Sequence, residues 1–448
     1  MALIAHAAVV ALAGPAAAQH ALQYRFEPGQ QFVYERQALV TAAGPNQPPS
    51  RSVAEVQVWC LQRDAGESLI LLTLTPATAG RAEPTRAALL YVDESGRRRL
   101  PEETVSRLGA VDPAFDVLPM LPLPVQSLAT WSTPSDLFER QWRCVGAAPD
   151  GTPPGQVRID FQVEDTSGVA DVLGQTRVGR FWVDSVAGYV SRFEAEEQDA
   201  FAQTQTRVVA LLRQVPQHTG DWAARRADEA QRYLRTLRHE DRLLADIVLH
   251  PAELAHTLEQ LDRLWATFTS DIDSRAGSPF LAIADARRQQ FRAEPDLFRV
   301  RAALGQRWLN APARPWSLQD SAGRTLTSES ARRGVVIECF WSSESIWGLR
   351  VLRPLSRWRH TPGDPPIPLL CYNMDYNLAV AQRAIARCGA GLTQILAGPL
   401  QDVENLPEFP VLRVVDGHGF VRGVWIGWDS NYFAARELAR HLAVEAGE

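Results

Sequence analysis

The side chains of this sequence best equipped for chemistry are its five thiols, Cys60, Cys144, Cys339, Cys371 and Cys388. None stands in a CxxC motif, the spacing of a dithiol centre. None joins histidines at zinc-ligand spacing either, so no metal centre is expected. The chain contains no lysine: all 46 basic side chains are arginine. Arginine supplies no amine nucleophile, which excludes Schiff-base and pyridoxal-phosphate chemistry. The phosphate-gripping lysines of Walker-A loops and protein kinases are absent for the same reason. There is no GxSxG elbow, HExxH pair or glycine-rich dinucleotide fingerprint, so no cofactor is expected and no catalytic residue is assigned. The net charge of −6 comes from residues 1–218, with 18 arginines against 24 acids, while 219–311 and 312–448 each balance 14 against 14. No segment is basic, and a nucleic-acid partner has no electrostatic support.

The surrounding elements divide the chain into parts. Residues 3–13 are an apolar run, and Ala16-Ala17-Ala18 offers a small-residue cleavage site, so 1–18 is expected to be an export signal. The protein is then expected in the periplasm or outside the cell, with no transmembrane segment. There Cys60 and Cys144, both in strand-like runs, are a possible disulfide; two buried thiols are the alternative. Residues 19–216 read as a β-rich domain, a sandwich or partly open barrel. Alternating or apolar runs recur at 31–41, 53–62, 68–75, 156–164, 176–183 and 188–195. The Pro- and Leu-rich stretch 113–137 reads as a loop or flap across them.

From 217 to 311 the period becomes helical. Leu254, Leu258, Leu261, Trp265 and Phe268 form one apolar seam, and a helical hairpin or bundle is expected as a spacer. Residues 312–448 alternate strand and helix: a buried-strand run at 335–341, a helix from Ile346, a second strand to Tyr372, a helix to 388 and a terminal hairpin. The fold class is thus multidomain α+β, with an antiparallel β domain, a helical region and a C-terminal α/β domain.

The last part resembles the thioredoxin-fold domains of exported thiol–disulfide oxidoreductases of the TlpA/ResA, redoxin-like type. Phe340-Trp341 matches the strand end that precedes the family's CxxC. Pro410 matches its cis-proline, and Asp416-Gly417-His418-Gly419 its turn. The resemblance implies a thioredoxin-like fold for 312–448 and a redox dithiol at the start of the helix. Counted from Phe340-Trp341, that slot falls on Ser345 to Gly348; counted back from Pro354, it falls on Ile346 to Leu349. Neither contains cysteine, and exchange needs a thiolate and a resolving thiol.

Three functions stay open. In the first, the domain is redox-inactive and binds or assembles a protein or peptide partner in a groove lined by Trp341, Ser345, Ile346, Trp347, Phe409 and Pro410. The tryptophans filling a core around a vestigial site is the alternative for those residues. The second is a divergent oxidoreductase using a cysteine outside any CxxC, such as Cys388. The third is a hydrophobic-ligand carrier built on the β domain, for which no residue speaks directly.

Overall fold

The computed structural model describes residues 22–42, 48–77, 85–101, 104, 130–134, 139–148, 155–165, 175–199, 204–272, 277–358, 367–388, 391–427 and 431–446. The expected export signal and most of the expected flap at 113–137 lie outside these residues.

The N-terminal half forms a large antiparallel sheet. Its strands are β1 (Gln31–Ala42), β2 (Ser50–Asp64), β3 (Glu67–Pro76), β4 (Arg86–Asp93), β5 (Arg98–Arg99) and β6 (Thr130–Pro134). They continue with β7 (Glu139–Ala148), β8 (Gln156–Asp165), β9 (Gln175–Asp184), β10 (Tyr189–Asp199) and β11 (Thr204–Gln214). All eleven join one sheet, in the order β5-β4-β3-β2-β1-β11-β10-β9-β8-β7-β6. The eleven strands form one continuous hydrogen-bonded sheet with β5 and β6 at its edges.

Alternation sends each strand's side chains to opposite faces. Val56, Val58 and Cys60 of β2 and Ile70 and Leu72 of β3 face one core, with Phe161, Phe181 and Phe193. The alternate residues Trp59, Leu61, Leu69, Leu71 and Leu89 face a second core made with helices. Strands β2 to β4 are therefore covered on both sides, which is why 68–75 reads as a nearly unbroken apolar run.

Those helices are α1 (Gly220–Leu249), α2 (Leu254–Ser270), α3 (Pro279–Ala293) and α4 (Pro295–Trp308). Thr219 caps α1 through the Trp222 N–H, and Ser278 caps α3 through the Phe280 N–H. Leu261, Trp265 and Phe268 of the expected seam are buried, while Leu254 and Leu258 pack at its margin. The Trp265 indole donates to the buried Glu240 carboxylate at 2.6 Å, so this core also satisfies a polar atom.

A second sheet is built from β12 (Ser317–Asp320), β13 (Thr325–Thr327), β14 (Val336–Trp341), β15 (Leu369–Asn373), β16 (Thr393–Leu396), β17 (Val411–Val415) and β18 (Val421–Ile426). Its order is β13-β12-β16-β15-β14-β17-β18. Strands β14, β15 and β16 are parallel, and β17 runs antiparallel beside β14. Its helices are α5 (Ser328–Ala331), α6 (Ile346–Trp358), α7 (Leu378–Cys388), α8 (Gln401–Glu404) and α9 (Tyr432–Glu445).

Ile337, Cys339 and Trp341 of β14 point to the face that packs on α6, α7 and α9. Val336 and Phe340 point to the other face, which is covered by Val248, Leu304 and Trp308 from α1 and α4. The helical region thus supplies a cover for both sheets. No helix among the described residues is long and apolar enough to cross a membrane.

Candidate functional site

The candidate site lies where β14 hands over to α6, at the carboxyl ends of the parallel strands. Strand β14 is buried through Trp341, and four polar residues, Ser342 to Ser345, turn the chain into α6. Asp375, just after β15, holds this turn. One carboxylate oxygen accepts from the Ser342 hydroxyl at 2.6 Å and from the Ser343 N–H at 2.9 Å; the other accepts from the Asn373 amide at 2.9 Å. Ser345 caps the helix: its hydroxyl accepts from the Gly348 N–H at 3.1 Å and its carbonyl from the Leu349 N–H at 3.0 Å.

Opposite stands the loop that enters β17. The Phe409–Pro410 peptide is cis. The Ser345 hydroxyl donates to the Phe409 carbonyl at 3.2 Å, so the two sides of the site touch directly. From behind, α4 grips the same loop. Arg301 donates to the Glu408 carboxylate at 2.6 Å with both side chains largely buried, and Arg307 donates to the Glu404 carbonyl.

Of the six residues expected to line a groove, Ser345 and Phe409 are in direct contact. Ser345, Ile346, Trp347 and Phe409 are half-buried, and the Arg350 guanidinium lies over the Trp347 ring at 5.2 Å. Pro410 is buried. Trp341 is a correction. It is fully buried, in the core with Ile337 and Cys339, and its indole donates to Gln394 at 3.1 Å. The strand's parity turns it inward.

The slot where a dithiol would stand has a steric character of its own. A Cβ placed on Gly348 would come 2.8 Å from the Ser342 carbonyl oxygen and 3.1 Å from its nitrogen. Any side chain there meets backbone. In the other alignment, the slot ends on Leu349, which is buried in the core.

Three of the five thiols are buried. Cys339 and Cys371 sit opposite each other on β14 and β15, fully buried and free. Burial, reinforced by Cys371, pushes the Cys339 thiol well up. Cys60 is likewise a buried free thiol, pushed up to about 12 by burial. The Cys60–Cys144 disulfide considered from the sequence is therefore not formed. Cys388 ends α7. Among the described residues, no group of three His, Cys, Asp or Glu side chains could hold a metal ion.

Beneath the site, on the opposite face of β14, lies a charged cluster that no local pattern announces. Glu338 is fully buried and accepts from Arg413 at 2.5 Å, from Arg332 at 2.9 Å and from the Tyr372 hydroxyl. Burial alone would raise the Glu338 carboxyl; Arg413 and Arg332 outweigh it and hold the group below its ordinary range. The Arg413 guanidinium also stacks on Trp308 of α4 at 4.4 Å and on Phe340 at 4.8 Å. The helical region is thereby bound to the sheet next to the site.

No family model matches the sequence, and no curated protein does. Solved thioredoxin-like structures do match about three tenths of it. The thioredoxin domain of a thiol-disulfide oxidoreductase from Bacteroides vulgatus is 17% identical over 29% of this chain and 97% of its own, with a TM-score of 0.26. A thiol-disulfide oxidoreductase from Bacteroides fragilis is 16% identical over 29% and 99%, at 0.25. An exposed lipoprotein thioredoxin of Streptococcus pneumoniae is 17% identical over 28% and 99%, at 0.24.

Proposed function

We propose that residues 312–448 form a redox-inactive thioredoxin-like domain of an exported protein. Its groove between the start of α6 and the Phe409–Pro410 loop binds an extended segment of a protein or peptide partner. The observation that carries this reading is the filled dithiol slot: Ser345 is engaged with the Phe409 carbonyl, and Gly348 has no room for a thiol-bearing side chain. A serine hydroxyl does not replace a thiolate in disulfide exchange. Half-buried aromatic and aliphatic surface at Ile346, Trp347 and Phe409 suits a binding rim, since aromatic area is a common anchor at interfaces. Cys60, Cys339 and Cys371 are buried, and buried thiols are inert, so the oxidoreductase alternative rests on Cys388 at the end of α7.

Two assays on the full chain test the proposal. In insulin reduction with dithiothreitol, the chain is expected to give no acceleration; thiol-dependent turnover contradicts it. In selection of displayed random peptides, the wild-type chain is expected to enrich sequences that a Ser345→Trp variant, which fills the groove, no longer retains. Enrichment that survives the plug, or no enrichment at all, contradicts it.

A further inference from the structure

The hairpin of α1 and α2 carries a second site, remote from the groove. A cleft of about 660 Å³ opens between the two helices. Its walls contribute Arg232, Arg235 and His239 from α1 and Arg263 from α2. The spacing of three and four residues sets Arg232, Arg235 and His239 on one stripe of the helix. The lining is apolar at Leu264 and Phe268, and Phe268 belongs to the core shared with the large sheet.

The three arginines and the histidine of this lining differ in how firmly they are engaged. Arg232 donates to the Asp271 backbone carbonyl at 3.0 Å, which fixes its direction. Arg263 pairs with Glu259 at 3.1 Å, but both side chains are more than 60% exposed, so the pair is weak and readily exchanged for a ligand. Arg235 and His239 are exposed and make no ion pair among the described residues. Among the described residues, Asp271 is the acidic residue of the lining, at one end of the cleft, and Glu259 lies beside Arg263. In a chain of net charge −6, this leaves a local excess of positive charge above an apolar floor. An arginine-only composition makes every cation a guanidinium, but it does not make them converge on one cleft.

We propose that this cleft binds a small amphipathic anion. A carboxylate or phosphate head is held by the guanidinium rim, and an apolar tail lies against Leu264 and Phe268. The guanidinium fork suits both heads, and the volume falls within the range of small-molecule sites, roughly 300–1,000 Å³. A bare inorganic ion would leave the apolar floor unused.

Calorimetric titration of the full chain tests this with dodecyl phosphate and laurate, both below their micellar concentrations. Comparison probes are inorganic phosphate, dodecyltrimethylammonium and phosphatidate vesicles. Both anionic amphiphiles are expected to bind saturably at one per chain. Inorganic phosphate should bind at least about tenfold more weakly, and the cationic amphiphile should not bind. Arg235→Ala and Arg263→Ala, both exposed, should each weaken binding about tenfold, the scale of one charge-assisted hydrogen bond, without altering the melting temperature. Equal binding of the cationic amphiphile, or unchanged affinity in both variants, overturns the proposal. So does binding to vesicles without binding to the monomers, which would favour a membrane surface instead.

Discussion

The Ser345 hydroxyl donates to the Phe409 carbonyl at 3.2 Å, joining the first turn of α6 to the residue before cis-Pro410. The same oxygen accepts from the Gly348 N–H, so one side chain both caps the helix and bridges the site. A serine at this point does structural work that leaves the opposing loop in a fixed place. On this account a position that resembles a reactive centre has become the hinge pin of a binding surface.

Gly348→Ala is expected to destabilise the chain. In an open helical position the change would stabilise by roughly 0.5–1 kcal/mol. Here the new Cβ would meet the Ser342 carbonyl oxygen at 2.8 Å, and overpacking of this kind costs about 1–3 kcal/mol. Thermal denaturation followed by circular dichroism reads the sign: a raised melting temperature would refute the steric argument. The Ser345→Cys, Gly348→Cys double variant should for the same reason be less stable than wild type and remain inactive in insulin reduction.

The Glu338 cluster gives a pH dependence with a definite sign. Its carboxyl is held below the unfolded value, so its contribution is present above that value, about 4.3, and is lost as pH falls further. Stability measured by denaturant titration should decline below about pH 4.5, with part of that decline missing in Glu338→Gln. At neutral pH the variant should lose about 3–5 kcal/mol, because Arg413 and Arg332 remain buried without their carboxylate. A variant as stable as wild type at pH 7 would show that the cluster contributes little.

Cys60, Cys339 and Cys371 should resist alkylation in the native chain. All three are fully buried, and burial raises the thiols of Cys60 and Cys339. Iodoacetamide at pH 8, followed by peptide mass spectrometry, should modify them only after denaturation. Rapid native modification of Cys339 or Cys371 would revive the oxidoreductase reading.

Arg301→Ala should loosen the loop that faces Ser345 without unfolding the large sheet. Arg301 and Glu408 pair with their side chains 5% and 19% exposed, so removing the cation leaves a poorly solvated carboxylate. Hydrogen exchange over 404–411 is expected to quicken by about tenfold or more, with exchange in β1 to β4 unchanged. Equal protection in both proteins would show that α4 does not steady the site.

Much of this arrangement is legible in the residues. The seam ending in Leu261, Trp265 and Phe268 marks a buried helix face, and the apolar run at 68–75 marks a strand covered on both sides. The start of α6 at Ile346 follows from the polar turn before it. Trp341 was open to misreading, because its aromatic type suggests a rim. The parity of β14 places it with Ile337 and Cys339 instead, so counting alternation outward from the strand would have settled its side. Strand β16 is four residues long and carries no period to detect. The ties that matter most to the site, Arg301 to Glu408 across 107 residues and Arg413 to Glu338 across 75, are tertiary. No local spacing signals a partner so far along the chain.

The most direct test of the central claim is the affinity of a labelled, selected peptide for the full chain, measured by fluorescence anisotropy before and after thiol alkylation. The account predicts saturable binding that is indifferent to alkylation and at least about tenfold weaker in Ser345→Trp. Binding that requires a free thiol, or that is unchanged by the plugged groove, would contradict it.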